Sequence, residues 1–237
     1  MNASVLLDKD IRIRLAIFAI GFSPIASLSL STFNLIPLHI SGPCIVLPAI
    51  LGAIVIGILF PRYSPIMARG FLLGVASVFL YDMTCRFPFI ASGTWPDFIP
   101  KIGNYLLGKE HVNWSVGYLW RYIGNGGGMG LAFYAMYPLF SKRIRPLRAG
   151  IIYGVAVFCC LLVTIYMSPS GRTYLFTPTL LTGLFGGLGH IVYGATLGYG
   201  TRRFPDMSMN QGLPATIPAQ HVVEQLALVS ASKQPAA

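Results

Sequence analysis

One apolar stretch near the middle of the chain, Asn113–Phe140, constrains the fold more than any other feature. An α-helix rises about 1.5 Å per residue, so about 20 residues cross a hydrocarbon layer of about 30 Å. Measured back from Phe140, that length puts Arg121 at the edge of the layer. The residues around it are typical of an interfacial aromatic belt: Trp114, Trp120 and Tyr122. The stretch therefore predicts a membrane-spanning helix with a cation near one end.

The same stretch is rich in glycine. Two GxxxG pairs, Gly124 with Gly128 and Gly126 with Gly130, follow Arg121. In lipid, such pairs let two helix backbones approach closely, so we predict a helix-packing face here. A phosphate-binding glycine loop is disfavoured because no strand precedes the glycines and no GK[ST] motif follows them.

The composition is that of an integral membrane protein. Of the 237 residues, 54% are hydrophobic and only 10% are charged, whereas a soluble domain has about 25% charged residues. The net charge of +10 is not a nucleic-acid signal, because the cations lie at predicted helix ends rather than in a basic run with aromatic residues. The bilayer is the expected partner. No cleavable signal peptide is evident, and the first apolar stretch is expected to be an uncleaved anchor.

Hydropathy predicts an all-α polytopic bundle of about six transmembrane helices within residues 11–200. Residues 1–10 form the N-terminus, and the Pro-, Gln- and Ser-rich residues 201–237 are expected to form a mostly disordered tail. The six predicted spans are Ile11–Ser31, Gly42–Phe60, Pro65–Phe87, Asn113–Phe140, Ala149–Met167 and Leu175–Tyr199.

The distribution of lysine and arginine predicts the orientation. With six spans, twelve cations fall on the side of the termini: Lys9, Arg12, Arg14, Arg62, Arg69, Lys142, Arg143, Arg145, Arg148, Arg202, Arg203 and Lys233. Four fall on the other side: Arg86, Lys101, Lys109 and Arg172. Positive residues stay in the cytoplasm, so both termini are predicted to be cytoplasmic. The expected location is the cell membrane, which in a bacterium is the inner membrane.

The long outer connection, residues 91–112, contains regularly spaced apolar residues. Trp95, Phe98 and Ile102 suit a short amphipathic helix lying on the outer membrane surface. An ordinary ordered loop is the alternative.

An internal similarity recurs at an offset of 80 residues. Gly70 and Gly74 align with Gly150 and Gly154, each pair being followed by Val-Ala. The pattern predicts a tandem helical-hairpin repeat, in which the second and third spans correspond to the fourth and fifth, as in transporters with parallel repeats. Shared membrane composition is the alternative explanation.

Three charged residues are expected at one depth of the bilayer. By helical rise, Asp82 and Arg121 lie at nearly the same level on consecutive spans, and Arg86 is one turn beyond Asp82. Because an unpaired charge is costly there, we predict that Asp82 pairs with Arg121, Arg86 or both. The group is either a structural clamp or a cationic pocket with one positive charge left for an anionic head group or solute.

His190 and the cysteines complete the candidate groups. His190 lies near the middle of the sixth span among glycines, either as a ligand-binding or proton-relay residue or as a buried, hydrogen-bonded one. Cys159 and Cys160 are expected to be buried apolar side chains. Cys44 and Cys85 lie near the outer ends of neighbouring spans, where an oxidising compartment would permit a disulfide.

No catalytic residue, metal or cofactor is predicted. Haem held by two histidines is disfavoured, because His39 and His111 fall on outer connections and His221 in the tail. The outer residues Asp97 and Glu110 form no known metal pattern with these histidines. No G-x-S-x-G or HExxH motif is present.

Three functions remain open. The first is a non-enzymatic accessory or packing subunit, because the glycine faces suit contact with other subunits or a homo-oligomeric partner. The alternative is a small transporter or channel for an anionic or amphipathic solute, using Asp82, Arg86, Arg121 and His190. The third is a lipid-modifying enzyme at the outer face, so enzymatic activity is left undecided.

Overall fold

The structure is a computed structural model that describes residues 3–203, with side chains from Lys9 onward. Over these residues the chain is all-helical and contains no strand, which confirms the all-α part of the predicted fold class. Most of the predicted tail, 201–237, lies outside the described residues.

Seven helices make up the described part of the chain. They are α1 (Ala3–Thr32), α2 (Leu38–Leu59), α3 (Pro61–Ala91), α4 (Ile99–Leu107), α5 (residues 114–140), α6 (Pro146–Met167) and α7 (Leu180–Arg203). A single helical turn, Gly171–Tyr174, lies between α6 and α7. Below, the end of the bundle next to α4 is the α4 end, and the end that carries Asp10 is the terminal end.

Five helices are long and apolar enough to cross a membrane: α1 from Lys9 onward, α2, α3, α6 and α7. Helix α5, the expected fourth span, does not meet that criterion although it runs alongside α1 and α3. Its second half, Gly128–Phe140, is almost entirely buried by protein. A helix enclosed by others can use glycine in place of large apolar side chains, and this lowers its hydropathy.

Three helices contain π-helical turns. These are Gly42–Val46 in α2, Asp82–Arg86 in α3 and Trp120–Gly127 in α5. Such turns widen a helix locally and are frequent at functional sites. The turns in α3 and α5 carry the charged residues that the sequence predicted at one depth.

Glycines bring α5 into backbone contact with both of its neighbours. A Cβ atom on Gly21 of α1 would meet the carbonyl oxygen of Gly128, and one on Gly74 of α3 would meet that of Gly126. Gly70 similarly lies against Gly130 and Tyr134, and Gly124 lies more loosely beside Pro24. The predicted glycine face of α5 is therefore used inside this chain.

Helices α6 and α7 form a second close pair. A Cβ atom on Gly150 would meet the carbonyl oxygen of Gly194, and one on Gly154 would meet that of His190.

By contrast, α2 and α3, which the internal similarity predicts to be a hairpin, scarcely touch each other. Helix α2 packs mainly on α1 and is the least buried of the five long apolar helices.

The outer connection differs from both sequence interpretations. Residues Ile99–Leu107 form a helix, but its apolar face packs into the protein rather than onto a membrane surface. Trp95, Ile99 and Ile102 are buried. A Cβ atom on Gly103 would meet the carbonyl oxygen of Asn113, so α4 lies directly against the start of α5. This segment closes the α4 end of the bundle.

A buried ion cluster at the terminal end was not anticipated. Asp10 accepts hydrogen bonds from Arg14 Nε at 2.7 Å, from Arg62 Nη2 at 3.3 Å and from the Tyr63 hydroxyl. Arg14 Nη1 also donates to the carbonyl of Ala135 on α5 at 3.2 Å. The cluster ties α1 to α5 and to the first turn of α3.

Candidate functional site

The predicted charge pair is present at the α4 end. Asp82 is completely buried, and Arg121 Nε lies 3.1 and 3.0 Å from its two carboxylate oxygens, with a further contact from Nη2. Arg86 Nη1 is 3.7 Å from Asp82 Oδ2. Because Asp82 belongs to α3 and Arg121 to α5, the pair joins these two helices at their π-helical turns.

A second carboxylate, which the sequence interpretation left in an outer loop, completes the cluster. Arg86 forms an ion pair with Asp97, and the Tyr118 hydroxyl donates to Asp97 Oδ2 at 2.8 Å. Two arginines thus face two aspartates, and the expected surplus positive charge is absent from this group. The expectation of a cationic pocket was wrong because Asp97, in the segment just before α4, pairs with Arg86.

A local sequence signal could have located Asp97. It lies two residues before the first residue of α4, and the backbone N–H of Ile99 donates to Asp97 Oδ1 at 3.2 Å. An aspartate that accepts from the backbone N–H two residues on forms an Asx turn. Its position at a helix start therefore predicts a fixed side chain rather than a solvated one.

Below the charge cluster lies a cavity of about 430 Å³. It is enclosed by α1, α3, α5, α6 and α7, and the segment leading into α4 covers it. Its lining is mostly apolar and aromatic. Of the four predicted site residues, three line it, namely Arg86, Arg121 and His190, while Asp82 lies behind the two arginines.

His190 is held in one orientation. Its Nδ1 is 2.7 Å from the carbonyl oxygen of Gly186. Since a carbonyl only accepts, Nδ1 carries a proton, and in the neutral imidazole Nε2 then keeps a lone pair. The rings of Tyr81 and Phe158 lie 5.2 and 5.1 Å from the imidazole. The guanidinium of Arg121 lies over the Tyr81 ring at 4.9 Å, so Tyr81 separates the charge cluster from His190.

The cavity borders a sparsely packed seam between α1 and α6. At the α4 end these helices are joined through Ser170, whose N–H donates to the Thr32 carbonyl at 3.1 Å and whose hydroxyl donates to Asn34 at 2.7 Å. Elsewhere they scarcely touch. Ala156 and Cys160 of α6 line the cavity and are nevertheless exposed. We take this seam as the side opening of the cavity.

Several polar atoms along the cavity have no hydrogen-bond partner among the described residues. They are Arg86 Nε, Trp95 Nε1 and Asn125 Oδ1. The remaining lining residues include Phe18, Phe22, Ile25, Met129, Tyr153, Val157, Leu161 and Phe176. Polar groups are thus few, and Arg86 and Trp95 both belong to the α4 end.

All four cysteines are free thiols. Cys44 is exposed, Cys85 is buried and both are free thiols, so the disulfide considered from the sequence is not formed. The reason is that α2, which carries Cys44, packs on α1 and scarcely touches α3. Cys159 and Cys160 are exposed rather than buried.

The acidic and histidine residues of the outer connections do not gather into a site. Over residues 3–203, no group of three or more histidine, cysteine or acidic side chains could hold a metal ion. Comparisons with protein-family models, with curated proteins and with solved structures find no match to this chain.

Proposed function

We propose that this protein is a small membrane transporter or carrier that binds a hydrophobic or amphipathic molecule in the cavity between α1 and α6. The observation that supports it is the combination of an apolar chamber, a side opening and a small number of polar groups, of which Arg86, Arg121 and Trp95 lie at the α4 end. Small-molecule sites typically have volumes of about 300–1,000 Å³ and mostly apolar linings with a few polar groups. The cavity matches that description.

The hypothesis of an accessory packing subunit loses its main support. It rested on glycine faces that were free to contact another subunit. Those glycines lie at contacts within the chain, between α5 and its neighbours and between α6 and α7. A lipid-modifying enzyme would need a reactive group beside the ligand. No feature of the cavity favours catalysis over binding.

The proposed threading has six spans, with α5 as the sixth membrane-crossing helix and both termini in the cytoplasm. Helix α5 supports it by running from Asn113 at the α4 end to Phe140 at the terminal end.

The tandem repeat remains a proposal. It is supported by one shared feature: Gly70 and Gly74 pack α3 onto α5, and Gly150 and Gly154 pack α6 onto α7.

Filling the cavity tests the binding function. Ala156 lines the cavity, whereas the adjacent Val155 is exposed on α6 and does not line it. Ala156→Phe should occupy part of the chamber, and Val155→Phe adds a similar ring on the outside. Native mass spectrometry of the full chain, purified in mild detergent, reports the bound lipid.

We expect the unchanged protein and Val155→Phe to retain one lipid-sized ligand and Ala156→Phe to lose most of it. Equal retention by all three proteins would mean that the lipid sits on the outer surface. That result would contradict the proposed function.

A further inference from the structure

Two buried hydrogen-bond donors at the α4 end of the cavity have no acceptor among the described residues. They are Nε of Arg86 and Nε1 of Trp95, on side chains that line the cavity and are only 1% and 3% exposed as residues. Buried donors in native proteins nearly always have a partner, because an unsatisfied one destabilises the fold. Both nitrogens are covered by neighbouring atoms, so a ligand oxygen that satisfies them displaces those neighbours at the cavity wall.

The charge balance beside these donors limits the ligand further. Arg86 and Arg121 are already paired with Asp97 and Asp82. An anionic ligand would bring a buried negative charge for which this cluster has no spare cation, and a cationic ligand would bring an equally unmatched positive charge. Burial of an unpaired charge is strongly unfavourable, so an uncharged polar group fits best.

His190 adds an acceptor to the same chamber. With Nδ1 bound to the Gly186 carbonyl, Nε2 can accept a hydrogen bond from a hydroxyl group. The chamber thus offers donors to a carbonyl or hydroxyl oxygen and an acceptor to a hydroxyl hydrogen. Neutral lipids carry such carbonyl and hydroxyl groups.

On the basis of the proposed function, we infer that the ligand is a neutral lipid, an ester, ketone or alcohol carried on an apolar chain. Its oxygen accepts hydrogen bonds from Arg86 Nε and Trp95 Nε1. Its chain lies against the apolar lining, including Met129 and Tyr153, and leaves the cavity between α1 and α6. The ligand therefore enters sideways from the bilayer.

Protection of Cys160 from alkylation tests this inference. Cys160 lines the cavity and is exposed, while its neighbour Cys159 is exposed and does not line it. The full chain, carrying Cys44→Ser and Cys159→Ser, is treated with a membrane-soluble maleimide in the presence of one of four probes. These are a fatty-acid methyl ester, a fatty alcohol, an alkyl sulfate and an alkylamine of equal chain length. A matched protein that keeps Cys159 and carries Cys160→Ser is the control.

We expect the ester or the alcohol to slow labelling of Cys160 while the charged probes do so only at higher concentration. No probe should protect Cys159. Trp95→Phe removes the cavity indole N–H and should weaken protection by the neutral probes roughly three- to tenfold, the range for loss of one hydrogen bond. Trp120→Phe is the matched control, since its indole N–H is also buried and unpartnered but the residue does not line the cavity.

The outcomes separate this inference from the proposed function. If a charged probe protects as well as the neutral ones, or if Trp95→Phe changes nothing, the cavity binds apolar chains without the inferred polar recognition. If none of the four probes protects Cys160, the proposed function and this inference both fail.

Discussion

The carboxylate of Asp97 lies against the guanidinium of Arg86, across the segment that connects α3 to α4. This contact turns what would be a charged pocket into a neutral cluster, because Asp82 already pairs with Arg121. The consequence extends to function. A neutral cluster above an apolar cavity favours an uncharged amphipathic ligand over an anion.

Removal of the Asp82 carboxylate should destabilise the bundle strongly. Asp82→Asn leaves two buried arginines sharing a single carboxylate, and loss of one partner of a buried ion pair costs roughly 3–5 kcal/mol. The apparent melting temperature in detergent should fall well below that of Glu110→Gln, a change at an exposed acid. Adding Arg121→Gln to Asp82→Asn should recover part of the loss, because the two side chains interact directly. An Asp82→Asn protein as stable as Glu110→Gln would show that the pair does not hold α3 to α5.

Asp97 should contribute more to thermal stability than its position in a connecting segment indicates. From the sequence, Asp97 falls in an outer connection and has no assigned partner. Since Asp97 accepts from Arg86 and from Tyr118, we now expect a clear loss of thermal stability. In a double-mutant cycle with Tyr118→Phe, the two effects should couple by about 0.5–3 kcal/mol. Strict additivity would argue against the contact.

Two glycine substitutions should differ clearly in their effect on stability. A Cβ atom on Gly74 would meet the Gly126 carbonyl of α5, whereas one on Gly183 of α7 has nothing within 4 Å. Gly74→Ala should therefore cost about 1–3 kcal/mol through overpacking. Gly183→Ala should be neutral or stabilising by up to about 1 kcal/mol, because alanine favours the helix. Similar melting temperatures for both variants would contradict the close α3–α5 contact.

The threading is tested by reporter fusions in the two connections that flank α5. Asn104, a natural choice from the sequence, is buried and its side chain bonds to the Glu110 carbonyl and the Asn113 N–H. Glu110 is exposed and is the better fusion site. Reporters at Lys142 and Glu110 should report opposite sides of the membrane if α5 crosses it. The same side for both would reduce the proposed six spans to five.

The sequence was informative where a single helix carries the signal. Length and hydropathy located the helices, and helical rise brought Asp82 and Arg121 to one level. It was uninformative where distant segments meet. The burial of α4 depends on Gly103 reaching α5, and the partner of Arg86 depends on that burial. The glycines indicated close packing but not whether the partner helix lay in this chain or in another.

The central claim is that a lipid can enter the cavity from the side, and quenching of Trp95 fluorescence tests it most directly. Trp95 is buried and lines the cavity. It can be made the only tryptophan by Trp114→Phe and Trp120→Phe. In bilayers containing a fatty-acid methyl ester brominated along its chain, bromine quenches an indole only at close range.

We expect strong quenching of Trp95 despite its burial, a marked reduction when Ala156→Phe fills the chamber, and no reduction with Val155→Phe. Fluorescence of Trp95 that is unaffected by the brominated ester would mean that lipid does not reach the cavity, and the account would be contradicted.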